Sequence, residues 1–179
     1  MQRYILTGAP GAGKTVLLRR LEADGLAVVE EAATDVNALM IGRGIAHPHL
    51  ERSFIDDILA LQLARQARAD AWTDEAVFFD RSPICTLALA EFLGIAPPPA
   101  LTAELDRIGR GFVYDRRVFF VETLGFITNT EVRRISYDDT LKFEAVHREV
   151  YRRFGYELIP VPPGDVETRF EAVVAALRG

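Results

Sequence analysis

The chain has 179 residues, a net charge of -5 and a pI near 5.3, with 49% hydrophobic and 26% charged residues. That length suits one domain with a good core, residues 1–179 as a single unit, and the acidic balance removes the broad attraction that nucleic acid or an anionic membrane would need. The apolar start is too short for a secretory signal, nothing else approaches a membrane span, and the one cysteine, Cys85, excludes an internal disulfide and suits a reducing cytosol. The expected location is therefore cytoplasmic, with Cys85 as a small apolar core residue on a helix.

Along the chain, apolar runs alternate with helical periods, which predicts an α/β fold around a parallel sheet. The first predicted strand, 3–7, leads into Gly8-Ala9-Pro10-Gly11-Ala12-Gly13-Lys14-Thr15, a fit to G-x-x-x-x-G-K-[ST] at every fixed position. A helix over 13–23 follows, with Gly25 placed as its C-terminal stop. Glycines at 8, 11 and 13 let backbone N–H groups close around phosphate oxygens, Lys14 adds a point charge for the β and γ phosphates, and Thr15 offers a hydroxyl to Mg²⁺. Gly8 to Val16 are the candidate nucleotide-binding residues.

The second predicted strand, 26–30, ends in Glu30-Glu31. A carboxylate at a strand end opens onto the crevice of a doubly wound sheet, where it can take a proton from an attacking hydroxyl, and Glu31 is preferred over Glu30 for that role. A helix near 51–71 puts Ile55, Ile58, Leu59 and Gln62 on one face, with Gln62 as a polar intruder, and Trp72 at its end is expected to be a packing anchor.

The third strand, 76–80, ends in Asp80-Arg81-Ser82. Asp80 is the candidate to hold Mg²⁺ together with Thr15, and Arg81, where an acidic neighbour would favour hydrolysis, favours gripping a phosphoryl acceptor. Ser82 is expected to cap a helix over 82–93 whose first residue is Pro83. Pro97-Pro98-Pro99 is expected to be non-helical, with a short helix from Thr102.

After the fourth strand, 117–121, the stretch 125–136 begins with glycine, is polar and carries Arg133 and Arg134, as a flap that neutralises phosphoryl oxygens in the transition state would. A helix over 138–154, a fifth strand over 157–161 and a closing helix over 165–178 complete the chain. His47, His49 and His147 form no credible metal set and are expected in loops or on the surface.

Taken together, the phosphate loop, Glu31-Ala32-Ala33, Phe54 with Gln62, Phe79-Asp80-Arg81-Ser82, Val132-Arg133 and Tyr151-x-x-x-Gly155-Tyr156 make the chain resemble the small P-loop, "AAA-like" ATPase group related to nucleoside and nicotinamide-riboside kinases. The resemblance implies a three-layer P-loop NTPase fold, kinase-like, with a five-stranded parallel sheet in order 2-3-1-4-5. It also implies that Gln62, Arg65 and Gln66 lie near the acceptor pocket, beside Glu31 and Arg81. The expected activity is transfer of the γ-phosphoryl group of ATP to a small hydroxyl-bearing metabolite, nucleoside-like or nucleotide-like, with Lys14, Glu31, Asp80, Arg81, Arg133 and Arg134 as the catalytic set. A nucleotide-binding switch and an ATP hydrolase are the alternatives. The acceptor, the choice of ATP over GTP and the oligomeric state are not marked by any motif.

Overall fold

A computed structural model describes residues 1–123 and 137–178. Five strands, β1 (Gln2–Thr7), β2 (Ala27–Val29), β3 (Ala76–Asp80), β4 (Arg117–Val121) and β5 (Glu157–Val161), form one parallel sheet in the order β2-β3-β1-β4-β5. This is the expected fold and the expected order.

Alternation along the strands divides the core into two layers. Tyr4, Leu6, Phe78, Phe119 and Val121 face one side, where helix α1 (Lys14–Ala23) packs with Leu17, Leu18 and Leu21, and the last helix contributes Val173. Ile5, Val77, Phe79 and Val118 face the other side, against helices α2 (Ala32–Gly42), α3 (Phe54–Ala69), α4 (Pro83–Phe92), α5 (Pro99–Gly111) and α6 (Tyr137–Arg153). Helix α7 (Val166–Arg178) closes the chain, its start held by the Asp165 carboxylate accepting from the Thr168 N–H at 2.8 Å.

The structure adds one helix and corrects two local expectations. Helix α2 has no counterpart among the predicted elements: its buried stripe is only Ala32, Val36 and Met40, while Leu39 and Ile41 stand exposed and blur the period. Pro99 is not outside a helix but the first residue of α5, where a proline loses no hydrogen bond because that N–H has no partner within the helix. Ser82 does precede α4, yet its hydroxyl makes no cap bond and instead meets the Tyr151 hydroxyl at 2.9 Å.

The order of strands places a topological switch point between β1 and β3, because the chain leaves these neighbours towards opposite faces of the sheet: β1 into α1, β3 into α4. The phosphate-loop sequence and Asp80-Arg81 both fall at the carboxyl end of that pair, where Asp80 lies in register with Leu6.

Candidate active site

The loop between β1 and α1 is shaped by its glycines. Gly8 has φ +136 and a Cβ there would stand 2.2 Å from the Val121 carbonyl oxygen, so only glycine lets the loop lie against the end of β4. Gly13 occupies the residue before α1 in a left-handed conformation and no side chain caps the helix, which leaves that end to a ligand or to solvent. Lys14 is buried against the loop, its Nζ donating to the Ala9 carbonyl at 2.9 Å. Thr15 and Val16 are exposed on the first turn of α1.

At the end of β3, Asp80 and Arg81 are both buried. Arg81 has φ +73, a left-handed backbone that a non-glycine residue holds only where its surroundings over-determine it. Those surroundings come from three other elements or their ends. Its Nε donates to Glu31, the residue before α2, and its Nη1 donates to Cys85 Sγ at 3.0 Å on α4 and to His147 Nε2 at 3.1 Å on α6. Burial disfavours the charge, but the sulfur of Cys85 and the carboxylates of Glu31 and Asp80 outweigh it, so the guanidinium holds its proton more firmly than usual.

Glu30 and Glu31 diverge. Glu30 pairs with Arg19 on the outer side, while Glu31 is turned inward to Arg81 and Thr34. Beside this inner pair opens a cavity of about 410 Å³ that reaches the phosphate loop at Pro10. Its walls are largely apolar, with Phe54, Ile58, Leu89, Phe92 and Phe143, and polar groups enter from Thr34, Asn37, Gln62 and Thr86. Gln62 accepts from the Thr86 hydroxyl at 2.8 Å rather than bonding backbone. Arg65 and Gln66 stand outside this lining among the described residues: Arg65 pairs with Asp35 and the Glu30 carbonyl, and Gln66 accepts from Arg107 at 2.9 Å. Arg133 and Arg134, with the whole 125–136 flap, lie outside the described residues.

His147 overturns its expected surface position, being fully buried behind Arg81 and Cys85. Its Nδ1 lies 2.8 Å from the Phe143 carbonyl, which can only accept, so Nδ1 carries the hydrogen and Nε2 is left to accept from Arg81 and from the Cys85 thiol at 2.8 Å. No spacing rule points to this residue; its one signal is that it falls on the same helical face as Phe143 and Val150. Cys85 is buried as expected, but in this polar cluster, and burial pushes its thiol pKa up against the pull of Arg81. Trp72 is a further correction, standing 38% exposed rather than anchored in the core.

Burial, and then the Arg81 charge, press the His147 pKa down to about 3. An unfolded chain binds the proton near 6.5, so the unfolded state gains protons first as pH falls. The stability that neutral His147 contributes is complete above pH 6.5 and drains away towards pH 3, by about 1.4 kcal/mol per unit in that window. Urea unfolding of the wild type and of His147→Asn at pH 7 and pH 5 is expected to give a flatter dependence in the variant; equal slopes would refute the assignment.

Among the described residues, no three His, Cys, Asp or Glu side chains are grouped to hold a metal. The oxygens of Thr15 and Asp80 nonetheless fit a hard cation of the kind that takes one or two protein ligands and completes its shell with phosphates and water. No helix among the described residues is long and apolar enough to cross a membrane.

Comparison with known proteins agrees with this architecture. Residues 3–169 match the model of a family described as an AAA domain, and the chain belongs to that family. Among solved structures, it is similar to deoxyadenosine kinase from M. mycoides with dCMP and dCDP bound, at TM-score 0.62 and 16% identity over 99% of each chain. It is also similar to the NadR protein in complex with NAD and AMP-PNP, at TM-score 0.69 and 16% identity over 99% of this chain and 49% of that one, so it spans about half of NadR. No curated protein matches it. The fold is that of the P-loop kinases.

Proposed function

We propose that this protein is an ATP-dependent phosphotransferase that delivers the γ-phosphoryl group to the hydroxyl of a small nucleoside-like metabolite. The observation that carries this reading is the continuity of the 410 Å³ cavity with the phosphate loop at Pro10, with Glu31 and Arg81 on its wall. Hydrolysis would need room only for water, whereas this cavity has the size and apolar character of a small-molecule site with a few placed polar groups.

In this reading Gly8 to Val16 hold the nucleotide, and Lys14 offsets charge on its phosphates. Thr15 and Asp80 would hold Mg²⁺, which when bound neutralises charge on the β and γ oxygens. Glu31, held in place by its pairing with Arg81, accepts the acceptor's hydroxyl proton. Arg81 steadies the acceptor at the boundary between cavity and loop, and Gln62 offers the acceptor's polar edge a partner. Arg65 and Gln66, one layer behind, support the walls through Asp35 and Arg107. Arg133 and Arg134 remain the proposed source of transition-state charge.

The test is incubation with Mg-ATP and a pool of nucleosides and related metabolites, followed by mass spectrometry. A product heavier by one phosphoryl group is expected. ADP formed from water alone would replace this reading with a hydrolase, and tight ATP binding with no turnover would replace it with a switch.

A further inference from the structure

Arg169, on the first turn of α7, is a buried cation that the proposed chemistry does not use. It is 3% exposed and reaches across 157 residues of sequence to the phosphate loop. Its Nη1 donates to the Ala12 carbonyl, its Nη2 donates to the Glu122 carbonyl at 3.0 Å just past β4, and its Nε is buried with no partner. Among the described residues no carboxylate lies within ion-pair distance of it: its hydrogen bonds go to backbone carbonyls, and the Glu122 carboxylate acts on its charge only from farther off. A buried charge in that state is costly unless an anion completes it.

The position of the bond at Ala12 matters. The Ala12 carbonyl and the Gly13 N–H belong to one peptide plane, and in a trans peptide they point in opposite directions. With the oxygen fixed towards Arg169, the Gly13 N–H is turned away from α7, on the residue that precedes α1. Donation by a charged group to the carbonyl also polarises that peptide and strengthens its N–H as a donor. Arg169 therefore fixes one loop peptide from behind and adds positive charge where little solvent reaches its side chain.

We infer that Arg169 is a positioning residue for the phosphate loop, orienting the Ala12–Gly13 peptide and supplying a buried positive charge that the phosphates of a bound nucleotide complete. The inference rests on the nucleotide site proposed above and extends it to α7, whose other buried residue, Val173, serves the core. It acts on phosphate binding, not on the acceptor.

The experiment is calorimetric titration of the full chain with ATP and, separately, with inorganic tripolyphosphate. Wild type is compared with Arg169→Gln, which keeps a neutral donor for Ala12, and Arg169→Lys, which keeps the charge, with melting temperatures recorded alongside. Folded Arg169→Gln is expected to bind both probes about tenfold more weakly, and Arg169→Lys to recover part of the loss. A folded Arg169→Gln that binds both as the wild type does overturns the inference while leaving the nucleotide site standing. Should Arg169→Gln not fold, Arg169→Met takes its place: a folded Arg169→Met that binds both probes as the wild type does refutes a role in charge, and one that binds more weakly than Arg169→Lys supports it. A wild type that binds neither probe overturns the nucleotide site itself, and this role with it.

Discussion

Lys14→Ala is expected to lose at least about 100-fold in ATP-dependent turnover, the scale seen when one preorganised electrostatic group is removed from a reacting centre. Lys14 is 4% exposed and lies against the loop with its Nζ on the Ala9 carbonyl, so its ammonium is already largely out of water before any phosphate arrives. Exchanging that carbonyl for phosphate oxygens moves the charge little and needs little reorganisation. Arginine is not expected to rescue it, because a planar fork does not fit the space of a compact ammonium. Steady-state phosphoryl transfer checks this, with the melting temperature as a control for folding. Near wild-type turnover in a folded Lys14→Ala would remove the loop from the chemistry.

Arg81→Met carries the second large effect, on stability and activity together. The side chains of Arg81 and Glu31 are 7% and 10% exposed, so their pairing is shielded from solvent. Removing one partner of a buried ion pair costs about 3–5 kcal/mol. Glu31 would keep only its contact with Thr34 among the hydrogen bonds described above, and Cys85 and His147 would lose their common donor. The double variant Arg81→Met with Glu31→Gln is expected to regain part of the stability, because the charge that faced the guanidinium is then removed as well, and none of the transfer activity. Urea unfolding of both variants, run beside the activity assay, separates these outcomes. If Arg81→Met were as stable as the wild type, the pair would be energetically idle; if the double variant regained activity, neither residue would be needed for transfer.

Much of the site lies open to reading along the chain because its parts are local. The phosphate loop is eight consecutive residues whose glycines answer to backbone geometry, and Asp80-Arg81 and Glu31 sit where apolar strands end. Strand positions were equally readable, since five short apolar runs separated by helical periods leave few other arrangements. The order of the strands came from family resemblance, because parallel pairing leaves no local mark on a strand's own residues.

What stayed hidden is what depends on contact between distant segments. His147 reads as a single basic residue on an amphipathic helix, and only packing against Arg81, 66 residues away, makes it a neutral acceptor in the core. Arg169 reads as one more arginine, yet it ends up behind the phosphate loop. Arg65 and Gln66 lie on the same helical face as Gln62 but one turn further along, about 5 Å, and that rise carries them past the cavity to Asp35 and Arg107.

The sequence by itself therefore determined the class of fold, the loop and the acidic and basic strand ends, since each follows from the dihedral freedom or periodicity of a few adjacent residues. The tertiary structure alone decided which carboxylate of Glu30-Glu31 faces inward, which side chains wall the cavity, and how Cys85, His147 and Arg169 hold the site from behind. Those are consequences of burial and of hydrogen bonds between segments, and burial is a property of the packed chain.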